Sequence, residues 1–153
     1  MNALSRTISF RITLSLVTFA SLALWSAVAL ADSPREIALE TAKRAIRAAM
    51  MEDEDAAFDA YLETIHPERK EMAQARNDIR RYSWKRFRQQ YDHFITDRDV
   101  NTLRIQRMNP EEITPDVQTF RLFFEAINKE GRLPAPIIFR RHGETWLIDT
   151  NSL

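Results

Sequence analysis

The apolar positions along this chain change period once. From Ser33 to Phe94 they recur every three or four residues, the spacing of one helix face. Beyond Val100 they alternate, the spacing of a half-buried strand. The segment SPRE at 33–36 predicts a helix start, with Ser33 as N-cap, Pro34 at the first helical position and Glu36 closing a capping box. Behind it Leu39, Ala42, Ile46, Ala49 and Met50 form one stripe facing a core. The acidic knot EDED at 52–55 predicts a turn and the start of a second short helix, where carboxylates complement the helix dipole. The buried side of that helix is expected to be Ala57, Phe58, Tyr61 and Leu62. His66-Pro67 ends it, because a residue before proline is pushed out of the α region. A third helical region is expected from Pro67 to Phe94, with a break near Asn77.

Four strands are predicted within TLRIQRM (102–108), VQTFRLFFEAI (117–127), PIIFRRH (136–142) and TWLID (145–149), mostly antiparallel because the connections are short. NKEG at 128–131 suits a hairpin loop with Gly131 left-handed, and His142-Gly143 suits a tight turn. Pro134 and Pro136 lack donors on the same lateral side, which predicts an exposed edge or a bulge. NPEEITPD at 109–116 predicts a surface loop. The fold class expected is α+β, with helices over about 34–94 and strands over about 100–150 in one domain spanning 32–153.

The first 31 residues carry Arg6 and Arg11, no acid, an uncharged run from Ile12 to Ala31, and small residues at Ala29 and Ala31. This is the pattern of a secretory signal peptide cut before Asp32. An uncleaved anchor is the alternative, since about 20 apolar residues can span a bilayer. The domain is expected in the periplasm or secreted, with membrane contact only if the N-terminal segment stays attached. The chain has 22 basic and 22 acidic residues, so loss of the two arginines leaves 20 against 22. That near-neutral balance argues against a dedicated nucleic-acid binder. The absence of cysteine excludes disulfides, thiolate metal sites and thiol catalysis.

The stretch RRYSWKRFRQQYDHF, residues 80–94, holds five cationic and five aromatic side chains. On a helical wheel Trp84, Phe87, Tyr91 and Phe94 share one sector, as a buried stripe does. Arg81, Lys85 and Arg88 form a flank, with Asp92 four residues after Arg88 to pair with it. Arg80 falls inside the aromatic sector, so it should pair with a carboxylate, stack on a ring or mark a polar mouth. No metal-ligand spacing, GxSxG or glycine-rich phosphate loop is present, and only two glycines occur. Neither a metal nor a cofactor is expected. For acid–base work the sequence offers the carboxylates Asp59, Glu63, Glu125 and Asp149, with His66 paired to Asp59 or Glu63 as the candidate couple.

Helices followed by an antiparallel sheet, with the closing strands FRRHGETWLIDTNSL and the helical segment YSWKRFRQ, resemble the nuclear-transport-factor-2-like superfamily, also called the SnoaL-like cone fold, in its exported bacterial members. The resemblance implies a curved, cone-like sheet wrapped on helices, with Trp146 and Ile148 inward and Leu147 outward. It implies a mainly apolar pocket with Arg80, Trp84, Tyr91 and Arg121 as candidate ligand contacts, and homodimerisation through the sheet. Some members of the superfamily are enzymes and many are binding modules. The function expected first is therefore an exported, non-catalytic binding module for a small apolar or acidic ligand or a protein partner. The alternatives are a cofactor-independent lyase, isomerase or hydrolase using a His/carboxylate pair, and attachment to anionic envelope surfaces through Arg81, Lys85 and Arg88.

Overall fold

The computed structural model describes residues 32–153 apart from Glu130. The signal or anchor segment expected over residues 1–31 lies outside the described residues. No helix among the described residues is long and apolar enough to cross a membrane. Ser33–Leu153 form one compact unit of α+β class.

Helix α1 spans Pro34–Ala49 and starts as its sequence predicts: the Ser33 N–H donates to Glu36 at 2.8 Å and the Glu36 N–H donates back to the Ser33 hydroxyl. Its buried face is Ala38, Ala42, Ala45, Ile46 and Ala49, with Leu39 and Met50 only half-buried. The small side chains let the backbone approach its neighbours α2 and β4 closely. Helix α2, Glu54–Glu63, is capped by Asp53, whose carboxylate accepts from the N–H groups of Asp55 and Ala56. Ala57, Phe58, Tyr61 and Leu62 are its buried side.

The third helical region departs from expectation. It opens with a single 3₁₀ turn, Pro67–Arg69, and interrupts at Lys70–Met72 instead of near Asn77. It resumes as α3, Ala73–Asp78, widens into a π turn over Ile79–Trp84, continues as α4, Lys85–Gln90, and tightens into a 3₁₀ turn at Tyr91–Phe94. The Lys70 ammonium, donating to the Leu62 carbonyl, ties the interruption back to the end of α2.

The strands β1 (Ile105–Asn109), β2 (Thr119–Phe124), β3 (Ala135–His142) and β4 (Thr145–Asn151) form an antiparallel meander in that order. The β3–β4 hairpin closes through Gly143, at φ +59°, the first residue of a two-residue loop where a left-handed backbone is needed. Of the edge or bulge expected at Pro134–Pro136, the edge is not found: β3 is an interior strand. Pro136 is tolerated because it sits second in the strand, level with the end of β4, where its carbonyl still accepts from the Ser152 N–H. A register irregularity follows at Ile138/Phe139.

One sheet face is buried under the helices. Phe120, Leu122, Phe124, Ile137, Phe139, Trp146 and Ile148 project there, and Leu147 faces the other way. Aromatic rings occupy the space between layers. Tyr61 packs 4.8 Å from Trp84 and 5.3 Å from Phe87, and Phe120 meets Trp146 edge-on at 4.7 Å.

Candidate functional site

Every strand that crosses the sheet sends its alternate side chains away from the helices, and this outer face has no covering layer among the described residues. Its composition repeats across the strands. Arg107 stands opposite Phe123, Arg121 opposite Ile138, and Arg140 opposite Leu147, so each guanidinium has an apolar cross-strand partner. The Arg107 guanidinium lies 4.1 Å from the centre of the Phe123 ring, a cation–π stack. Arg121 is exposed and forms no ion pair among the described residues. Arg140 is bound to Glu68, and its Nε lies 3.5 Å from Asp149 Oδ1.

At the β4 side of this face the chain segment before the Pro67 turn runs parallel to the strand. The His66 N–H donates to the Ile148 carbonyl and the Ile148 N–H to the Thr64 carbonyl, both at 2.8 Å. This register sets His66 beside Asp149. The His66 ring is buried, edge-on to His142 at 5.5 Å, and its Nδ1 has no hydrogen-bond partner among the described residues. Asp149 Oδ1 is likewise buried and without a hydrogen bond. The hollow that Asp149 lines with Tyr61, Arg69, Ser83 and Asn151 has a volume of about 50 Å³. That is room for water, far below the roughly 300 Å³ at which small-molecule sites begin. Within it the Tyr61 hydroxyl accepts from Asn151 at 3.3 Å, and burial pushes the phenol up to about 12.

The residues singled out from the sequence fall in several places. Arg80 pairs with Asp55 and lies 5.0 Å over the Phe58 ring, so it both meets a carboxylate and stacks. Trp84 is buried, and its indole N–H donates to Glu54 at 2.7 Å. Arg88 also binds Glu54 and the Met51 carbonyl, and does not take the expected partner Asp92, because the α-helix has given way to a 3₁₀ turn before that residue. Arg80, Trp84 and Arg88, four residues apart, thus make one row fastened to the first turn of α2. Of the basic flank, Arg81 and Lys85 remain exposed. Tyr91 is half-buried and lines an open hollow of about 460 Å³ with Asp92, His93, Arg98 and Asn128, while Arg121 stands on the outer sheet face. The structure brings Arg80 and Trp84 together at α2 and leaves Tyr91 and Arg121 apart from them.

Asp59 is exposed on α2 with Arg76 at 3.8 Å, Glu63 is exposed as well, and no hydrogen bond joins either to His66. The strand register sets a different candidate acid, Asp149, level with His66; it lies 83 positions later, so no local spacing linked the two. The arginine–apolar face did leave a signal: RIQR, FRLF and FRRH each carry an arginine within a strand that alternates.

These features define an α+β protein with helices on one face of an antiparallel four-stranded meander and an open arginine–apolar face on the other. Among known proteins, no family model, no curated sequence and no solved structure matches this chain.

Proposed function

We propose that this chain is an exported, non-catalytic binding module that engages a protein partner through its sheet. The observation that carries this reading is the outer face, where three arginine–apolar cross-strand pairs stand side by side with no layer over them among the described residues, two of the arginines without an ion pair there and the third, Arg140, held by Glu68. Arginine and aromatic residues are what protein interfaces favour over the rest of the surface. The aromatic filling of the opposite face favours a protein partner over a small apolar ligand held in the interior. The small size of the hollow at Asp149 likewise favours binding over acid–base turnover. In this reading the sheet is the curved, cone-like one of the nuclear-transport-factor-2-like superfamily, many of whose members are binding or assembly modules.

Site-specific photo-crosslinking of the full chain in its own host tests the proposal. A benzophenone side chain at Arg121 or Leu147 is expected to capture one recurrent partner, either another protein or a second copy. The same group at Arg81, on the helical side, is expected to capture none. Equal labelling from both positions, or no product from the sheet face, rejects the reading.

A further inference from the structure

The two lateral edges of the sheet are treated differently. Beyond β4, Thr64–His66 adds a short parallel pairing with two backbone hydrogen bonds at 2.8 Å, so that edge is covered at Ile148 by the chain itself. Beyond β1 there is no such cover among the described residues. β1 has β2 on one side, and no hydrogen bond from any other described residue reaches the backbone of Ile105–Asn109. A hollow of about 300 Å³ runs along this edge, lined by Arg35 of α1, Ile105, Gln106, Arg107, Met108 and Glu111.

An open edge displays unpaired N–H and C=O groups and is a ready template for another strand. From these features we infer that β1 accepts a fifth strand, an extended segment of the partner in which acidic and apolar residues alternate; this rests on the binding-module reading above. The register supplies the alternation. Ile105 and Met108 lie opposite the buried Phe124 and Leu122, so they belong to the inner face, and Arg107 opposite Phe123 belongs to the outer. An added strand that passes the bulge at Ile105/Arg107 one residue short, as β2 does, would extend both faces, setting apolar side chains beside Ile105 and Met108 and an acidic one beside Arg107. The charge supplies the selectivity. Arg35, Arg104 and Arg107 are exposed and have no ion pair among the described residues, against the single carboxylate of Glu111 in the hollow. Antiparallel self-pairing over Ile105–Asn109 is centred on Arg107 and would set two guanidinium groups opposite each other, which disfavours a second copy as the occupant. The bulge between Ile105 and Arg107 adds local twist that discourages indiscriminate pairing along the same edge.

The test uses the full chain and a fluorescent, end-blocked octapeptide of alternating Val and Glu, with its Val–Lys counterpart as control. Fluorescence anisotropy is expected to report binding of the Val–Glu peptide alone, weakening as salt is raised. Hydrogen exchange is expected to show new protection at Ile105–Asn109 and none at β4. Arg107→Glu and Arg35→Glu, both at exposed positions, should each weaken binding by about fivefold or more while leaving the unfolding midpoint within its usual surface-substitution range. Equal binding of the Val–Lys peptide, absent protection of β1, or protection of β1 that rises with protein concentration alone each overturns the inference. A partner crosslinked from Arg121 or Leu147 that leaves β1 unprotected overturns strand addition and retains the binding reading.

Discussion

Glu54 receives the Trp84 indole N–H on one carboxylate oxygen and the Arg88 guanidinium on the other, and so joins the start of α2 to the helical rod. Charge-assisted bonds of this kind are worth about 1.5–3 kcal/mol, and a buried donor left without a partner adds its own penalty. Glu54→Ala is therefore expected to lower stability by roughly 2–3 kcal/mol in urea unfolding. Arg80→Ala should cost no more than about 1 kcal/mol, because its pair with Asp55 is solvent-exposed. Equal losses from the two substitutions would contradict this ordering. Tyr61 gives the alkaline counterpart. Its folded phenol, raised by burial to about 12 from 10, holds its proton more tightly than the unfolded chain does. The resulting stability, on the order of 3 kcal/mol, is complete below pH 10 and is lost as pH rises from 10 towards 12. Tyr61→Phe should flatten the fall in urea midpoint over that window.

At the scale of elements, local chemistry places the ends of α1 and of the β3–β4 hairpin. The Glu36 carboxylate is held below its ordinary value of 4.5, first by the Ser33 backbone N–H and then by the Ser33 side chain. A depressed carboxyl contributes stability that is present above its unfolded value and is lost as pH falls through the folded one. Helicity should thus decline in acid below about pH 4.5 through this group, and Glu36→Gln should blunt that decline in circular dichroism. At Gly143 a Cβ would meet nothing within 4 Å, so the cost of Gly143→Ala is that of the left-handed backbone alone, about 1–2 kcal/mol. Both elements were legible in the sequence, since a capping box and a glycine between alternating runs act over three or four residues. The π turn was not. Nothing in IRRYSW marks a wide turn locally, and its neighbours Asp55, Glu54 and Phe58 belong to α2, well earlier in the chain.

Across the whole molecule the two faces of the sheet should respond oppositely to substitution. Ile148→Ala, on the inner face, is expected to cost about 2–5 kcal/mol, whereas Leu147→Ala, its neighbour on the outer face, should cost no more than about 1 kcal/mol and act on partner binding. Thermal unfolding read beside crosslinking yield separates the two effects. By itself the sequence determined the α+β class, the start of α1 and its buried Ala42, Ile46 and Ala49, the buried side of α2, the inward Trp84, Phe87 and Phe94, and the hairpin at Gly143, because period, capping and turn chemistry are properties of short stretches. Only the tertiary structure decided that β3 lies inside the sheet, that Arg88 turns to Glu54 and away from Asp92, that His66 comes level with Asp149, and that among the described residues one edge of the sheet is covered at Ile148 while the other is not. Those outcomes depend on which distant segments meet and in what register, and register is settled by burial summed over the assembled core, beyond what any one stretch encodes.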